Sequence, residues 1–276
     1  MVNITDLHFS YRSRSVFNGL CLKLSAGHIY GLLGRNGTGK STLLRSMAGF
    51  LFPEKGRIEV LGYEPGRRLP SFLEQVFLVP EDIQLPAVSL DQWLHDTAPF
   101  YSRFDRHAFE RYFNCFELPV ASSLTELSYG QQKKVVISFA LATNVSLLLM
   151  DEPTNGLDIQ AKNLFRKVMA GAIDEKKCIV ISTHQVKDLE QLIDRILIMD
   201  EGRILFDQGL DAITEKLLFK FSMDEKEEQM AIYREACFRG NALILPNYFQ
   251  ELSRPDLEML YKAVNTDEES VNTHFR

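Results

Sequence analysis

Nowhere does the 276-residue chain string together the roughly 18 apolar residues of a membrane-spanning helix, so no such span is expected. Its opening, Met1-Val-Asn-Ile-Thr-Asp6, lacks the charged-then-apolar build of a secretory leader. Cysteine is sparse. The four present, Cys21, Cys115, Cys178 and Cys237, form no C-x-x-C pair, which excludes a zinc ribbon and argues against a disulfide frame. They read as small hydrophobes in a reducing compartment, and a cytosolic home is expected. A basic excess is missing too. The net charge is −6, and all of it lies in residues 207–276, which hold 8 Lys/Arg against 14 Asp/Glu. No nucleic-acid partner is therefore expected. There is no internal repeat and no low-complexity linker. What the chain does have is 45% apolar residues, enough to bury the core of one large domain with an appendage.

Those apolar residues alternate between strand and helix patterns. Residues 3–10 and 16–24 read as strands of a small β layer, with further strands at 57–62 and 76–79. Residues 88–143 read as helical, with Ser89 and Gln92 spaced as a capping box. Residues 147–150 and 178–182 read as buried parallel strands flanking a helix near 159–174. A hairpin is expected over 195–206, turning at Asp200-Glu-Gly202.

Between the strand His28–Leu33 and the helix after it lies Gly34-Arg-Asn-Gly-Thr-Gly-Lys-Ser-Thr42. Gly34, Gly39, Lys40 and Ser41 fit G-x-x-x-x-G-K-[ST], and the strand–loop–helix setting is the one this motif needs to work. Glycines let the backbone turn its N–H groups inward on an anion, and the helix start adds its positive end. Residues 34 to 42, namely Gly34, Arg35, Asn36, Gly37, Thr38, Gly39, Lys40, Ser41 and Thr42, are thus expected to cradle a triphosphate. Lys40 reaches the β- and γ-phosphates and the Ser41 hydroxyl ligates Mg²⁺. Downstream, Leu147-Leu-Leu-Met-Asp-Glu-Pro153 is an apolar strand ending in two carboxylates. Asp151 is placed to join the Mg²⁺ shell, and Glu152 to orient or deprotonate an attacking water. Leu127-Ser-Tyr-Gly-Gln131 opens a helix with Ser128 as N-cap, and its hydroxyl and the free N–H groups are also suited to phosphate.

Taken in order, these motifs resemble the nucleotide-binding subunit of an ATP-binding-cassette (ABC) transporter over about residues 1–210. Leu127-Ser-Tyr-Gly-Gln131 is similar to the LSGGQ signature, with Tyr129 replacing its first glycine. Gly156-Leu-Asp158 resembles the D-loop, and His184 resembles the switch histidine that contacts the γ-phosphate. Tyr11 sits where the family stacks an aromatic on adenine. The resemblance departs at the Q-loop. Its glutamine should fall within Phe77–Asp82, where this chain has Glu81; the other reading puts Gln84 in that role through a register shift.

The fold implied is an α/β phosphate-loop NTPase of ABC ATPase type. It would comprise an antiparallel β subdomain, a helical subdomain near 86–143 and a small C-terminal α/β appendage, 211–276. The activity implied is hydrolysis of ATP with Mg²⁺. Catalysis falls to Lys40, Glu152 and His184, the metal to Ser41, Asp151 and Glu81. The subunits would form a homodimer or heterodimer, head to tail, with ATP between the phosphate loop of one copy and Ser128, Gly130 and Gln131 of the other; Asp158 lies at the same junction. The partner implied is a separate integral-membrane permease, which would hold the chain on the cytoplasmic face. Two rivals remain at this stage: a soluble cassette ATPase working on ribosomes or DNA, and a nucleotide-gated scaffold that hardly hydrolyses.

Two segments are harder to read. In the appendage, 216–221 and 242–245 read as strands and 224–238 as a helix, a βαβ tail whose role is either structural or regulatory. Leu257-Glu-Met-Leu-Tyr261 looks like the closing Leu-Glu-x-x-Phe-type helix of subunits energising ABC-2-type exporters. In 88–116, the apolar set Val88, Leu90, Trp93, Leu94, Phe100, Tyr101, Phe104, Phe109, Tyr112, Phe113 and Phe116 exceeds what one helix face buries. An exposed apolar groove for a permease helix is expected there.

Overall fold

A computed structural model describes residues 1–119 and 121–276. The chain opens with strands β1 (Val2–Tyr11), β2 (Arg14–Leu24) and β3 (His28–Leu33), then helix α1 (Lys40–Met47), β4 (Lys55–Val60), the short α2 (Pro70–Leu73) and β5 (Val76–Val79). Helices α3 (Leu90–Thr97), α4 (Arg106–Cys115) and α5 (Tyr129–Ala142) follow. Next come β6 (Leu147–Asp151), α6 (Ile159–Ala170), β7 (Cys178–Thr183), β8 (Arg195–Asp200) and β9 (Arg203–Gly209). The C-terminal part holds α7 (Leu210–Lys216), β10 (Leu217–Ser222), α8 (Glu225–Met230), β11 (Tyr233–Cys237), β12 (Gly240–Pro246), α9 (Leu257–Thr266) and α10 (Glu268–Asn272).

The central sheet runs β5-β6-β7-β3-β8-β9 and is parallel except for β9. Every residue of β6 and β7 is buried, as expected of strands covered on both faces. Register places Leu33 beside Thr183 and Asp151 beside Ser182, so β3, β6 and β7 end in one line. In an open α/β sheet the crevice beyond the carboxyl ends is where ligands bind. The phosphate loop, Glu152 and His184 all leave the sheet there. One face of the sheet packs α1 and the antiparallel sheet β2-β1-β4, joined through Phe17, Leu20, Leu43, Met47 and Leu149. The other face packs α5, α6 and α9. The β8–β9 turn crosses β2 so closely that a Cβ on Gly202 would sit 1.8 Å from the Val16 carbonyl oxygen. Only glycine fits, and the turn thereby fixes one wall of the cleft beside residues 35–42.

The expected helical region is three helices separated by loops. At Ser89 only half the capping box forms: its hydroxyl accepts from Gln92 N, but the Gln92 amide turns to Asp96. The complete box is at Ser128, where Gln131 reaches back to the Ser128 N–H at 2.9 Å. The apolar set of 88–116 does not form the expected groove. It closes around Phe139 of α5, which is fully buried, with ring centroids of Trp93, Phe104, Phe77 and Tyr101 at 4.8, 5.2, 5.7 and 5.8 Å. Only Phe100 of the set is exposed, at 73%. Three of these rings lie tilted to Phe139 and Tyr101 lies edge-on, so the surplus is absorbed inward.

The appendage also departs from the reading. The helix expected over 224–238 stops at Met230, and Tyr233–Cys237 is strand β11. The three strands pair antiparallel in the order β10-β12-β11, not as a βαβ unit. The chain reverses at Arg239 and Gly240, both at positive φ, which makes a hairpin of what looked like a helix end. Nor is the appendage a separate body: Leu257, Leu260, Ala263 and Val264 of α9 belong to the main core.

Removing the Phe139 ring should cost about 3–5 kcal/mol through lost burial and a cavity among four other rings. Phe139→Ala followed by denaturant unfolding checks this, and a loss below about 1 kcal/mol would show that the cluster re-collapses.

Candidate functional site

The phosphate loop is bent by glycine. Gly37 and Gly39 have φ of 83° and 110°, and a Cβ on Gly34 would lie 2.5 Å from the Met199 carbonyl oxygen. Lys40 is buried at the start of α1, and its Nζ donates to the carbonyls of Gly34 at 2.7 Å and Arg35 at 3.1 Å. The ammonium therefore lies inside the curl of its own loop. Burial pushes its pKa down, and the Glu152 and Asp151 carboxylates oppose that. First-turn N–H groups of α1 have no intrahelical acceptor and face the same cavity.

Beyond β6 the chain makes its most constrained turn. Glu152 is a non-glycine residue at φ 45°, 3% exposed. Such a conformation costs of order 1–3 kcal/mol and persists only where its surroundings over-determine it. Four contacts do so. Glu152 N donates to the Ser182 carbonyl and hydroxyl oxygens, each at 3.2 Å. The buried Lys133 Nζ donates to the Glu152 carbonyl at 2.8 Å and the Asn155 carbonyl at 3.1 Å. The side chain is aimed by His184, whose Nδ1 lies 2.8 Å from Glu152 Oε1, with Lys40 Nζ 3.8 Å from the same oxygen. Glu152 Oε2 is buried and has no partner among the described residues. Neighbouring Asp151 accepts from the Ser182 hydroxyl at 2.6 Å.

These groups open on a cleft of about 610 Å³ lined by Tyr11, Arg14, residues 35–42, Glu81 and Glu152. Tyr11 is 44% exposed at its mouth, edge-on to Phe9 at 4.9 Å. Its ring is thus fixed on one side and open on the other. Glu81 borders the cleft, whereas Gln84 does not. The structure also joins two residues that the sequence singled out separately. Tyr129 Oη donates to the Glu81 carbonyl at 2.6 Å, and the Asn155 amide reaches Glu81 Oε1 at 3.4 Å.

Ser128, Gly130, Gln131 and Asp158 do not meet the phosphate loop of their own chain. Ser128 and Gln131 cap α5, and Asp158 caps α6 by accepting from Ala161 N at 2.7 Å. The two starts pack tightly, since a Cβ on Gly130 would lie 3.1 Å from the Gly156 carbonyl oxygen. Sequence reading missed Arg14 and Lys133. Arg14 offers only an exposed cation three residues after Tyr11. Lys133 gave no signal: it stands between Gln132 and Lys134, ahead of the apolar run that begins at Val135, and reads as part of a solvated polar turn.

Comparison with known proteins agrees with this geometry. The family model described as ABC transporter matches residues 17–155, half of the chain. The Nod factor export ATP-binding protein I of Rhizobium sp. (strain N33) is 30% identical over 232 residues, 78% of this chain and 73% of that protein. An uncharacterized ABC transporter ATP-binding protein of Methanocaldococcus jannaschii is 27% identical over 281 residues, 97% of this chain and 98% of its own. Among solved structures, an ATP-binding subunit of an ABC transporter superposes with a TM-score of 0.69 at 26% identity, over 77% of this chain and 91% of that one. A dimeric ATP-binding cassette holding ADP and phosphate shares the fold with a TM-score of 0.66 at 21% identity, over 76% of this chain and 99% of that one. The chain belongs to the ABC transporter family, as an ATP-binding subunit.

Proposed function

We propose that this subunit hydrolyses ATP in the cleft between Tyr11 and Glu152 and drives export through a separate membrane permease. The observation that carries the catalytic part is Glu152: a strained, buried carboxylate with one oxygen held by His184 and the other without a partner among the described residues. An unpaired buried acceptor is costly, and a water donating to Oε2 would satisfy it while aligned for attack. Water adds to the γ-phosphorus, its proton passes to Glu152, the bond to the β–γ bridging oxygen breaks, and ADP and phosphate leave. Lys40 exchanges its carbonyl partners for β- and γ-oxygens. His184 Nδ1 stays on Glu152 while Nε2 faces the γ-phosphate. Catalysis is thereby mostly positioning and charge neutralisation.

Mg²⁺, when bound, would neutralise the developing charge on the phosphates. The residues present suit it, being a Ser41 hydroxyl and the carboxylates of Asp151 and Glu81. Mg²⁺ typically takes one or two carboxylates and completes its shell with phosphate oxygens and water. Among the described residues no group of three or more His, Cys, Asp or Glu forms a cage on its own.

A head-to-tail dimer accounts for Ser128, Gly130 and Gln131. They cap an exposed helix start, and a second copy's ATP would reach it. Tyr129 then acquires a role: its bond to the Glu81 backbone ties the start of α5 to the metal-side segment. Export is the direction supported by the Nod factor export relatives. The expected permease groove over 88–116 is withdrawn, since those aromatics pack internally.

Glu152→Gln keeps shape but loses basicity, so turnover should fall at least about 100-fold. Nucleotide binding should survive, and a dimer should build up with ATP and Mg²⁺ in light scattering; turnover near the native rate would remove Glu152 from its role. Tyr11→Ala should weaken ATP binding by about 1–3 kcal/mol while Tyr11→Phe binds normally, as titration with a fluorescent nucleotide will show. Glu81→Ala should lower turnover and raise the Mg²⁺ requirement, with Gln84→Ala inert; the reverse pattern would move the metal-side role three residues on.

A further inference from the structure

The appendage has no assigned role, yet its helix α9 reaches the nucleotide site. It packs on the turn Val186–Asp188 that follows His184, and on β8 and β9. Val186 and Leu189 from the histidine side share one apolar cluster with Leu257 and Leu260. Two exposed ion pairs lie along the same seam, Lys187–Glu258 at 3.0 Å and Arg254–Glu190 at 3.7 Å. The chain beyond α9 is fastened separately, by Asn272 Nδ2 on the Leu205 carbonyl at 2.9 Å and by Phe275 edge-on to Phe206. Helix α9 is therefore held from both ends against the catalytic edge of the sheet.

What it presents there is Tyr261. This residue closes a cavity of about 270 Å³ whose other walls are residues 34–36 of the phosphate loop, Thr183, His184 and Val186. The Tyr261 hydroxyl is buried and makes no hydrogen bond of full geometry among the described residues, although Arg35 lies close beside it. Burial pushes its pKa up, and the nearby Arg35 guanidinium opposes that. A phenylalanine would fill the same space without the cost of an unsatisfied hydroxyl. A local rule broken without local compensation is expected at functional positions.

We propose that Tyr261 is a positioning residue of the ATPase site contributed by the appendage: its hydroxyl accepts from the Arg35 guanidinium as the phosphate loop tightens on the γ-phosphoryl group in the transition state, fixing that loop against the His184 turn. This rests on the ATPase reading above and adds a component that no motif of the nucleotide-binding core contains. Arg35 is exposed in the loop and is the cation among the groups around this cavity, so it is the donor best matched to a phenolic oxygen. The appendage is then part of the catalytic machinery, and a partner bound to it would reach the active site through one helix.

The test is Tyr261→Phe in the full chain. Loss of a charge-assisted bond that reaches full strength only in the transition state predicts a kcat lowered about 10-fold with the ATP dissociation constant unchanged. The melting temperature without nucleotide should be unchanged or raised, because an unpaired buried hydroxyl has gone. A merely structural tyrosine gives the opposite, a lowered melting temperature and native kcat, and would overturn the proposal. In an Arg35→Ala background, Tyr261→Phe should have no further effect on the residual rate; additive losses would also overturn it. Should Glu152→Gln hydrolyse ATP normally, the ATPase reading itself fails. A native kcat in Tyr261→Phe, with Glu152→Gln inactive, removes only this inference.

Discussion

A buried ammonium holds the turn that bears Glu152 together. Lys133 is wholly inside the protein, and its two hydrogen bonds both go to carbonyls of the turn after β6, those of Glu152 and Asn155. Taking an ammonium out of water carries a penalty of several kcal/mol unless its protons are satisfied and opposite charge lies near. Both conditions are met: the carbonyls take two protons, the Tyr129 ring lies 5.7 Å below, and Glu81 and Glu152 oppose the fall in pKa that burial imposes. Because Lys133 is on α5, the helix whose start faces outward, the position of Glu152 is tied to that helix. Glu152 holds φ 45° because Lys133 grips its carbonyl and Ser182 its N–H.

The same balance explains why the site looks set for a polyanion with a metal. Glu81, Asp151 and Glu152 gather near Lys40 and Lys133, and His184 is a further basic group at the Glu152 carboxylate. Lys40 meanwhile spends its protons on carbonyls of its own loop. A triphosphate offers better acceptors for that ammonium, but brings its charge up against three carboxylates. Held by Ser41, Asp151 and Glu81, a divalent cation would supply the positive charge that offsets this repulsion. Glu81, where the resemblance leads one to expect glutamine, sharpens this dependence, since it adds a negative charge that an amide would not.

Legibility from sequence followed how local the cause was. The central strands were plain because runs such as Leu147–Met150 are apolar on both faces and end in residues that belong at a strand tip. The phosphate loop was plain because glycine spacing encodes a backbone path directly. Short-range signals misled where a long-range pair overrode them. Tyr233–Cys237 continued a charged helical pattern, yet pairs with β12 because Gly240 permits the reversal. The aromatics of 88–116 announced an apolar excess, but nothing in their own spacing named Phe139 as the ring they surround. Likewise Tyr129 and Glu81 each looked like an isolated departure from a pattern. Only the fold shows that one donates to the other's backbone.

That pairing shows how the subunit could depart from its family's motifs without losing a connection between its parts. A glycine at 129 would leave the Glu81 carbonyl without this donor; the tyrosine supplies one and packs its ring against Gly156, whose added Cβ would lie 3.3 Å away. The start of α5, the Glu81 segment and the turn bearing Asn155 and Glu152 thus form one connected unit on the side of the cleft away from α1. Its links are hydrogen bonds to the Glu81, Glu152 and Asn155 carbonyls, the longer Asn155–Glu81 side-chain contact and the ring packed on Gly156. A second copy seated on the start of α5, as in the proposed dimer, would thus bear on Glu81 and Glu152 through these bonds, a route from a contact outside the cleft to the groups within it.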